Sequence, residues 1–481
     1  MNIIPKPKKE KNLKGQVVLG ADYAKSIRYE QNDSLADEAY ILKVKENEIV
    51  ITASTVRGQI WGRKTLEQLI MEGKAPLCTI EDEPKYSYRG FHIDCARHFH
   101  SIEELKKIIL EASRVKMNYF HWHLSDDQGW RVEIEKYPKL YSQCNKEYYS
   151  KAEIKDLVAF AEENGVTIIP EIDMPGHTRA MTAAYPFLSC SEERVELATC
   201  GGIFPVILCP GKETTFEFVQ NVIDEMVPFF KGEYFHLGSD EAPKHEWKKC
   251  PACQKRMKEL GLKSEWELQG YFTRRIADYA KEKYGKKIIL WNDSLETEKS
   301  LSDDEIVQYW SLEHREALPD FLNRGGHFIY SDMFDLYYDY PAAMSPMKRS
   351  YLASPMIDGH DYSDDEVLLG FECCTWSEYI DNPTTLENRM FPRLYALAEN
   401  AWSGGIESNY EDFCIRLKTL MIGSNIKCGN GDPKGLKKMV EKLGYAKTMS
   451  TGMPKEVRQM TVDAAAPSEE FMNLFKEKML K

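Results

Sequence analysis

The sequence predicts an α/β protein built as a (β/α)8 TIM barrel, with a small N-terminal α+β domain ahead of it and a short helical C-terminal segment behind. Two observations carry this. From Tyr88 onward, eight short apolar runs alternate with amphipathic helical stretches over about three hundred residues, the pattern of a parallel sheet wrapped by helices. The residues just past those runs are concentrated in acids, histidines and tryptophans, as expected where a barrel gathers its chemistry at one rim. An open doubly wound sheet is the runner-up.

Residues 1–84 read as the small α+β unit. Gln16–Gly20, Tyr40–Val44 and Glu48–Ala53 cluster or alternate β-formers, and Thr55–Met71 carries a helical stripe of Ile60, Trp61, Leu66, Leu69 and Ile70. A link ending at Pro84 closes the unit. Residues 85–404 hold the barrel. Strands are expected at Gly90–Asp94, Tyr119–Leu124, Thr167–Ile172, Tyr234–Gly238, Lys287–Trp291, Ile306–Tyr309, His327–Ser331 and Leu369–Thr375, and helices at Ile102–Lys116, Ala152–Glu163, Phe216–Phe230 and Trp266–Tyr284. Residues 405–481 carry a weaker signal: an outer helix at Tyr410–Met421, a GNGDPKG loop, and short helices at Lys437–Leu443 and Glu469–Lys481.

At 481 residues, with 43% hydrophobic and 29% charged side chains, the chain is large enough for a barrel with an appendage. A formal charge of -13 argues against nucleic acid or an anionic membrane as the main partner, because both demand clustered Lys and Arg. No run is long and apolar enough to suggest a membrane span, and the opening MNIIPKPKKEKN lacks the apolar core of a signal peptide. The expectation is a cytoplasmic address, or a secreted one if a leader precedes these residues in the natural chain. Twelve scattered cysteines fit reduced thiols. Cys250-Pro-Ala-Cys253 is the one C-x-x-C. Without a second such pair at zinc-ribbon spacing no metal is expected, although His245 is near enough in sequence to supply a third ligand. Abundant aromatics, 26 Tyr, 20 Phe and 9 Trp, suit sugar stacking as well as an ordinary aromatic core.

The stretch Tyr234 to Pro243, YFHLGSDEAP, organises the rest: a buried strand meets a Gly-Ser break and then presents Asp240 and Glu241. On the barrel reading the rim also collects Arg89, Asp94 and Arg97 from the first strand, His121, His123, Asp126 and Asp127 from the second, and Glu171, Asp173 and His177 from the third. The last four strands add Trp291, Asn292 and Asp293, then Trp310, then Tyr337 to Asp339, then Trp376 and Glu378. Duller readings stand beside these. Two adjacent acids are usually solvated. His121 and His123 could bind a metal, but such residues are more often hydrogen-bonded core groups. One Trp at a strand end is usually packing, whereas Trp291, Trp310 and Trp376 together favour a walled apolar slot. Arg89 and Glu378 could equally pair with neighbouring charges.

The segments YRGFHIDCARHF, FHWHLSDDQGWRVEIEKYP, IIPEIDMPGHT, YFHLGSDEAP, IILWND, VQYWS and TWSEYID, in this order, resemble glycoside hydrolase family 20, the β-N-acetylhexosaminidases, over about Arg57 to Ser403. The resemblance implies an exo-acting retaining glycosidase that removes terminal β-linked GlcNAc or GalNAc from an oligosaccharide or glycoconjugate. It implies no cofactor and no metal, and a monomer or homodimer. This family departs from the usual carboxylate nucleophile and is substrate-assisted: the 2-acetamido oxygen attacks C1 and forms an oxazolinium ion.

Carried onto this sequence, the resemblance makes Glu241 the general acid and Asp240 the group that accepts the acetamido N–H and steadies the cation. Repulsion between the two is expected to help keep Glu241 protonated. Arg89 is expected to hold the O3 and O4 hydroxyls, Glu378 to accept from O4 or O6, and Asp339 to reach O6. Trp291, Trp310 and Trp376 should wall the acetamido methyl and the sugar face, with Tyr337 donating to the acetamido oxygen. Asp126 and His177 should position Glu241, and Asp173 brace the same network. Ser239 stands where the family often has a second glycine. That change, the short leading domain, the brief Lys139–Ser150 connection and the unmatched C-terminal segment leave leaving-group preference and oligomeric state open. The competing readings are a lacto-N-biosidase-like, GalNAc-selective or 6-sulfo-GlcNAc-selective glycosidase, a catalytically dead carbohydrate-binding barrel, and a metal hydrolase built on His121 and His123.

Overall fold

The computed structural model describes residues 1–426 and Cys428, apart from Ala21, Asn145, Ala343 and residues 405–408. The helices expected at Lys437–Leu443 and Glu469–Lys481 lie outside the described residues.

Five strands make the leading sheet: β1 (Lys9–Val18), β2 (Ile27–Gln31), β3 (Tyr40–Lys45), β4 (Glu48–Ala53) and β5 (Lys74–Asp82), in spatial order β1-β5-β3-β4-β2. Tyr40, Leu42 and Val44 alternate inward along β3, and helix α1 (Val56–Leu69) lays Ile60, Trp61 and Leu66 on that face. Thr55 caps α1 by accepting the Gly58 N–H. The sequence reading missed β2 and β5 and started β1 seven residues late. β1 is exposed along almost its whole length and shows no alternation, and Pro76 interrupts the pattern of β5.

The barrel strands are β6 (Tyr88–Asp94), β7 (Tyr119–His123), β8 (Thr167–Glu171), β9 (Tyr234–His236), β10 (Lys287–Trp291), β11 (Ile306–Tyr309), β12 (His327–Tyr330) and β13 (Leu368–Cys373). Each pairs in parallel with the next and β13 closes on β6. Strands covered on both faces read as continuous apolar runs, which is why all eight were visible in the sequence. The first outer helices, α2 (Ile102–Arg114) and α3 (Lys151–Glu163), each begin with a Ser-x-x-Glu capping box. Further round lie α4 (Glu213–Met226), α5 (Pro251–Leu260), α6 (Glu265–Tyr284), α7 (Arg393–Ser403) and α8 (Tyr410–Ile422).

Toward the N-terminal ends of the strands, Tyr88, Ile169, Tyr234, Ile289, Ile306 and Ile329 fill the barrel with an apolar plug. Above it the filling is polar. Glu372 accepts from His121 Nδ1 at 2.8 Å and from Gln308 Nε2 at 2.7 Å, and Glu171 accepts from Trp291 Nε1 at 2.9 Å and pairs with His123. A ligand therefore has access only at the C-terminal rim.

One expected rim residue is not at the rim. Arg89 is the second residue of β6, at the opposite end of the barrel from Asp94. It is 0% exposed, donates to the carbonyls of Lys116 (2.9 Å) and Tyr86 (2.7 Å), pairs with Glu38 and lies 4.9 Å from the Trp402 ring. Together with the buried Lys116–Asp82 pair at 2.8 Å, it forms a charged seam between the leading domain and the barrel floor. Arg89 stands at the N-terminal start of β6, the side on which the expected strand Gly90–Asp94 also leaves it, and so cannot reach a ligand held beyond the strand's C-terminal end.

Candidate active site

The site is built on the turn after β9. Gly238 takes φ +68, and a Cβ there would lie 1.8 Å from Asp173 Oδ1, so the close approach of that carboxyl admits only glycine. Ser239 (φ +77) and Glu241 (φ +45) also adopt left-handed backbone, at a cost on the order of 1 kcal/mol or more each. The surroundings hold them there. Ser239 N–H donates to Asp173 Oδ1 at 3.2 Å, and Gln269 Nε2 on α6 donates to the Ser239 carbonyl at 2.9 Å. Glu241 N–H donates to Asp293 Oδ1 at 3.2 Å, just past β10. The twist turns Asp240 inward, 7% exposed, and leaves the Glu241 side chain 34% exposed.

His177 connects this pair to a second set of acids. Its Nδ1 lies 3.2 Å from Asp126 Oδ1 and 3.4 Å from Asp127 Oδ2, and its Nε2 lies 3.3 Å from Glu241 Oε2 and 3.7 Å from Asp240 Oδ2. Burial alone would favour neutral imidazole, but Asp126 and the other carboxylates raise His177 well above its ordinary value. The ring is an imidazolium that donates in both directions. Burial likewise opposes ionisation of Asp126, yet Arg97 and His177 hold it well below the usual carboxylate range. Arg97 Nη2 sits 2.7 Å from Asp126 Oδ2, and its guanidinium stands 5.1 Å from the Trp376 ring.

Repulsion from the adjacent acid adds to the effect of burial on Asp240. Asp240 is pushed up to about 7, by burial first, with Asp293 and Glu241 adding to it and His177 opposing. Asp173, buried and facing Asp240, is raised well above the ordinary range, so it is the protonated member of that pair. Asp240 Oδ1 is buried with no hydrogen-bond partner among the described residues, a costly arrangement unless a donor arrives from a ligand.

Aromatic rings wall the space over these acids. Trp291 and Trp376 have ring centroids 5.7 Å apart, Tyr337 lies 6.3 Å from Trp376, and Trp310 stacks on Tyr337 at 6.1 Å with 14° between planes. Trp310 is fixed by donating to Asp293 Oδ2 at 2.8 Å, so one carboxylate pins both the Trp310 wall and the Glu241 backbone. Asp339 is pushed up to about 7 by burial and by Glu378, and its Oδ1 has no partner among the described residues. Burial also raises Glu378, against the pull of Arg97.

The profile of the glycosyl hydrolase family 20 catalytic domain matches residues 86–405, and that of the family's domain 2 matches residues 20–83. The chain belongs to glycosyl hydrolase family 20. Among curated relatives, a beta-hexosaminidase of Porphyromonas gingivalis is 34% identical over 420 residues, covering 81% of this chain and 54% of that protein. A beta-hexosaminidase of Vibrio furnissii is 32% identical over 404 residues, covering 76% of this chain and 66% of that protein. The chain thus spans only about half to two thirds of the length of these two relatives. A solved beta-N-acetylhexosaminidase from Bacteroides fragilis superposes with a TM-score of 0.81 at 29% identity, covering 90% of this chain and 98% of that one. The exo beta-N-acetylglucosaminidase of Vibrio harveyi, solved in complex with N-acetylglucosamine, gives a TM-score of 0.77 at 29% identity, over 87% of this chain and 76% of that one.

On this family 20 barrel, side-chain contacts link Asp126, His177, Asp240 and Glu241 at one rim, with Trp291, Trp310, Tyr337 and Trp376 as its aromatic wall. Asp339 and Glu378 face each other electrostatically beside Arg97. Arg89 is the one candidate that lies elsewhere, and Arg97, noted on the rim but given no role, is the arginine of the site. The pinning role of Asp293 was also missed, since it depends on a contact with Trp310 that spacing does not reveal. His121 and His123, the alternative metal pair, are engaged by Glu372, Glu171 and Asp126. Against the opposing effect of burial, these acids raise His121 to about 9 and His123 to about 10.

Proposed function

We propose that this family 20 chain is an exo-acting, retaining β-N-acetylhexosaminidase that releases terminal β-linked GlcNAc, and GalNAc, by substrate-assisted catalysis. Asp240 carries the reading: a buried carboxylate lacking a donor, next to a more open Glu241, beneath a tryptophan wall. A 2-acetamido group supplies what this arrangement needs, an N–H for Asp240 Oδ1 and a methyl for the aromatic slot. Anchored by Asp240, and with Tyr337 donating to it, the acetamido oxygen attacks C1 while the C1–O bond to the leaving group breaks. Glu241 gives its proton to the departing oxygen. The oxazolinium N–H, now bearing positive charge, lies against the Asp240 carboxylate, an interaction stronger in the transition state than in the ground state. Glu241 then takes a proton from water attacking C1, and the two inversions give net retention.

The supporting parts follow from the contacts. The imidazolium of His177, fixed by Asp126, orients Glu241 and lends its positive charge to both acids. Arg97, Asp339 and Glu378 are the polar groups for sugar hydroxyls, in place of the role expected of Arg89. A cytoplasmic address and a monomeric or homodimeric state belong to the same proposal. The test compares aryl β-GlcNAc and aryl β-glucoside with one leaving group: kcat/KM for the glucoside should be lower by about 10³-fold or more. Comparable cleavage of the two would overturn the mechanism, as would the α-anomer appearing as first product by NMR. A panel of GlcNAc, GalNAc, sulfated and lacto-N-biose aryl glycosides fixes the specificity.

A further inference from the structure

Outside the active site, four cysteines from three separate stretches converge on one point. Cys190 follows the turn Pro186–Leu188, Cys209 opens a Cys-Pro-Gly turn, and Cys250 and Cys253 flank the first residues of α5. The sulfurs of Cys190 and Cys253 are 3.8 Å apart, those of Cys209 and Cys250 3.8 Å, and those of Cys209 and Cys253 3.5 Å. All four sulfurs lie within 4.8 Å of one another. Thiolates at about 2.3 Å from a tetrahedral zinc stand about 3.8 Å from each other, so the group already has the dimensions of a closed S4 shell. His245, the third ligand that sequence proximity suggested, is not part of it.

Buried cysteines often act as small hydrophobes, and these do pack beside Ile207, Trp247 and Met257. Packing alone does not account for the local backbone. Cys209-Pro210-Gly211 and Cys250-Pro251-Ala252-Cys253 are two tight Cys-Pro arms that press on each other. A Cβ on Gly211 would meet the Ala252 carbonyl carbon and the Cys253 nitrogen at 2.4 Å, so only glycine lets the arms close. Cys250 is the N-cap residue of α5, and no side chain caps that helix. All four are free thiols, and two disulfides would need only two separate pairs, whereas here all four sulfurs lie within 4.8 Å of one another. A tetrathiolate site with no open position selects a thiophilic divalent ion, and for a site lacking redox partners that ion is zinc.

We infer that Cys190, Cys209, Cys250 and Cys253 bind one structural zinc ion. The ion would hold both ends of the loop 190–209 and tie them to the segment that follows the catalytic pair Asp240 and Glu241. That loop reaches the rim: Ala198 N–H donates to the Asp127 carbonyl at 3.0 Å, Gln128 Nε2 to the Cys200 carbonyl at 2.8 Å, and Gly201 packs on Glu378. A connection this long without regular structure is costly to order, and fixing its ends reduces that cost. The role is distinct from the proposed chemistry, since no ligand touches substrate.

Elemental analysis of the full chain, purified without chelator from zinc-supplemented culture, tests this directly. About one zinc per chain is expected, released by a mercurial that blocks thiols and read with a pyridylazo dye. Cobalt exchanged into the same protein should give the intense visible bands and sulfur-to-metal charge transfer of a tetrahedral tetrathiolate. Cys253→Ser should lose at least tenfold of the bound zinc, while Cys78→Ser, a buried cysteine of the leading sheet, should retain it. Wild-type protein that carries less than a fifth of an equivalent of zinc and gives no such cobalt spectrum would overturn the inference even if the Cys253 variant fails to fold. Stoichiometric iron in place of zinc, or a disulfide within the set, would overturn it as well.

Discussion

Asp240→Asn should make the protein more stable and nearly inactive at once. Raised to about 7 by burial against an unfolded value of about 3.9, Asp240 is harder to ionise in the folded state by roughly three units, at about 1.4 kcal/mol per unit. The sign follows from proton binding. Below about pH 4 the carboxyl is protonated in both states and contributes nothing. Between about pH 4 and 7 only the unfolded chain ionises, so the native state loses ground, and above about 7 the deficit is complete at roughly 4 kcal/mol. Asparagine removes the charge, and its amide can serve the environment of the unpartnered Oδ1. At about 2 cal/mol/K per residue over some four hundred ordered residues, this amounts to a rise in Tm of about 4–5 °C at pH 8 and almost none at pH 4. Paired thermal scans at one heating rate measure the difference, and hydrolysis of aryl β-GlcNAc should fall by about 10²–10³-fold. In the wild type, the acid limb of kcat/KM should lie near the same pH of about 7 and shift downward in kcat, because the bound N–H favours the carboxylate. An Asn variant no more stable at pH 8 than at pH 4, with activity intact, would refute the reasoning.

Glu241→Gln should lower turnover of oligosaccharides by about 10²–10⁴-fold, with KM little changed, and normal turnover would remove Glu241 from the acid role. Tyr337→Phe should cost about 10²-fold in kcat if its hydroxyl donates to the acetamido oxygen. Arg89→Met should destabilise the fold by about 3–5 kcal/mol, as for a broken buried pair, by leaving Glu38 without its cation, and so lower Tm while KM stays the same. A large rise in KM would return Arg89 to the binding site. Ser239→Gly relieves about 1 kcal/mol of left-handed strain but loses the hydroxyl's contacts with Gln269 and Thr273 at 3.1 and 3.2 Å. Activity within about twofold of wild type and little change in Tm are expected from that balance, on the scale of about 1 kcal/mol per hydrogen bond.

The barrel was legible because buried parallel strands advertise themselves as apolar runs. Lys287–Trp291 and Ile306–Tyr309 match the expected bounds. The turn carrying Asp240 and Glu241 was legible for the same reason, since it follows closely on such a run. What escaped the sequence depends on contacts between distant segments. Arg89 lies at the N-terminal side of β6 whether the strand begins at Tyr88 or at Gly90, and its service to the floor shows only in its contacts with Glu38 and Trp402. β1 runs along the surface with almost no inward face, and its lysines resemble a loop. Cys190 and Cys209 have no spacing rule linking them to Cys250, so the convergence became visible only when the chain was folded. The raised pKa of Asp240 also depends on burial, and residue type says nothing about the direction in which a strained turn points its side chains.

The seam beneath the barrel bears on how this protein can be divided. A fragment beginning at Tyr86 would keep every side chain of the candidate site, yet Arg89 and Lys116 would lose Glu38 and Asp82, leaving two cations without their counter-charges on a floor stripped of its cover. Trp402, whose Nε1 donates to Asp82 Oδ1 at 2.9 Å, would lose its acceptor. The leading domain is thus the counter-charge of the barrel, and an exchange of leading domains between relatives should succeed only where an acid arrives at both positions 38 and 82.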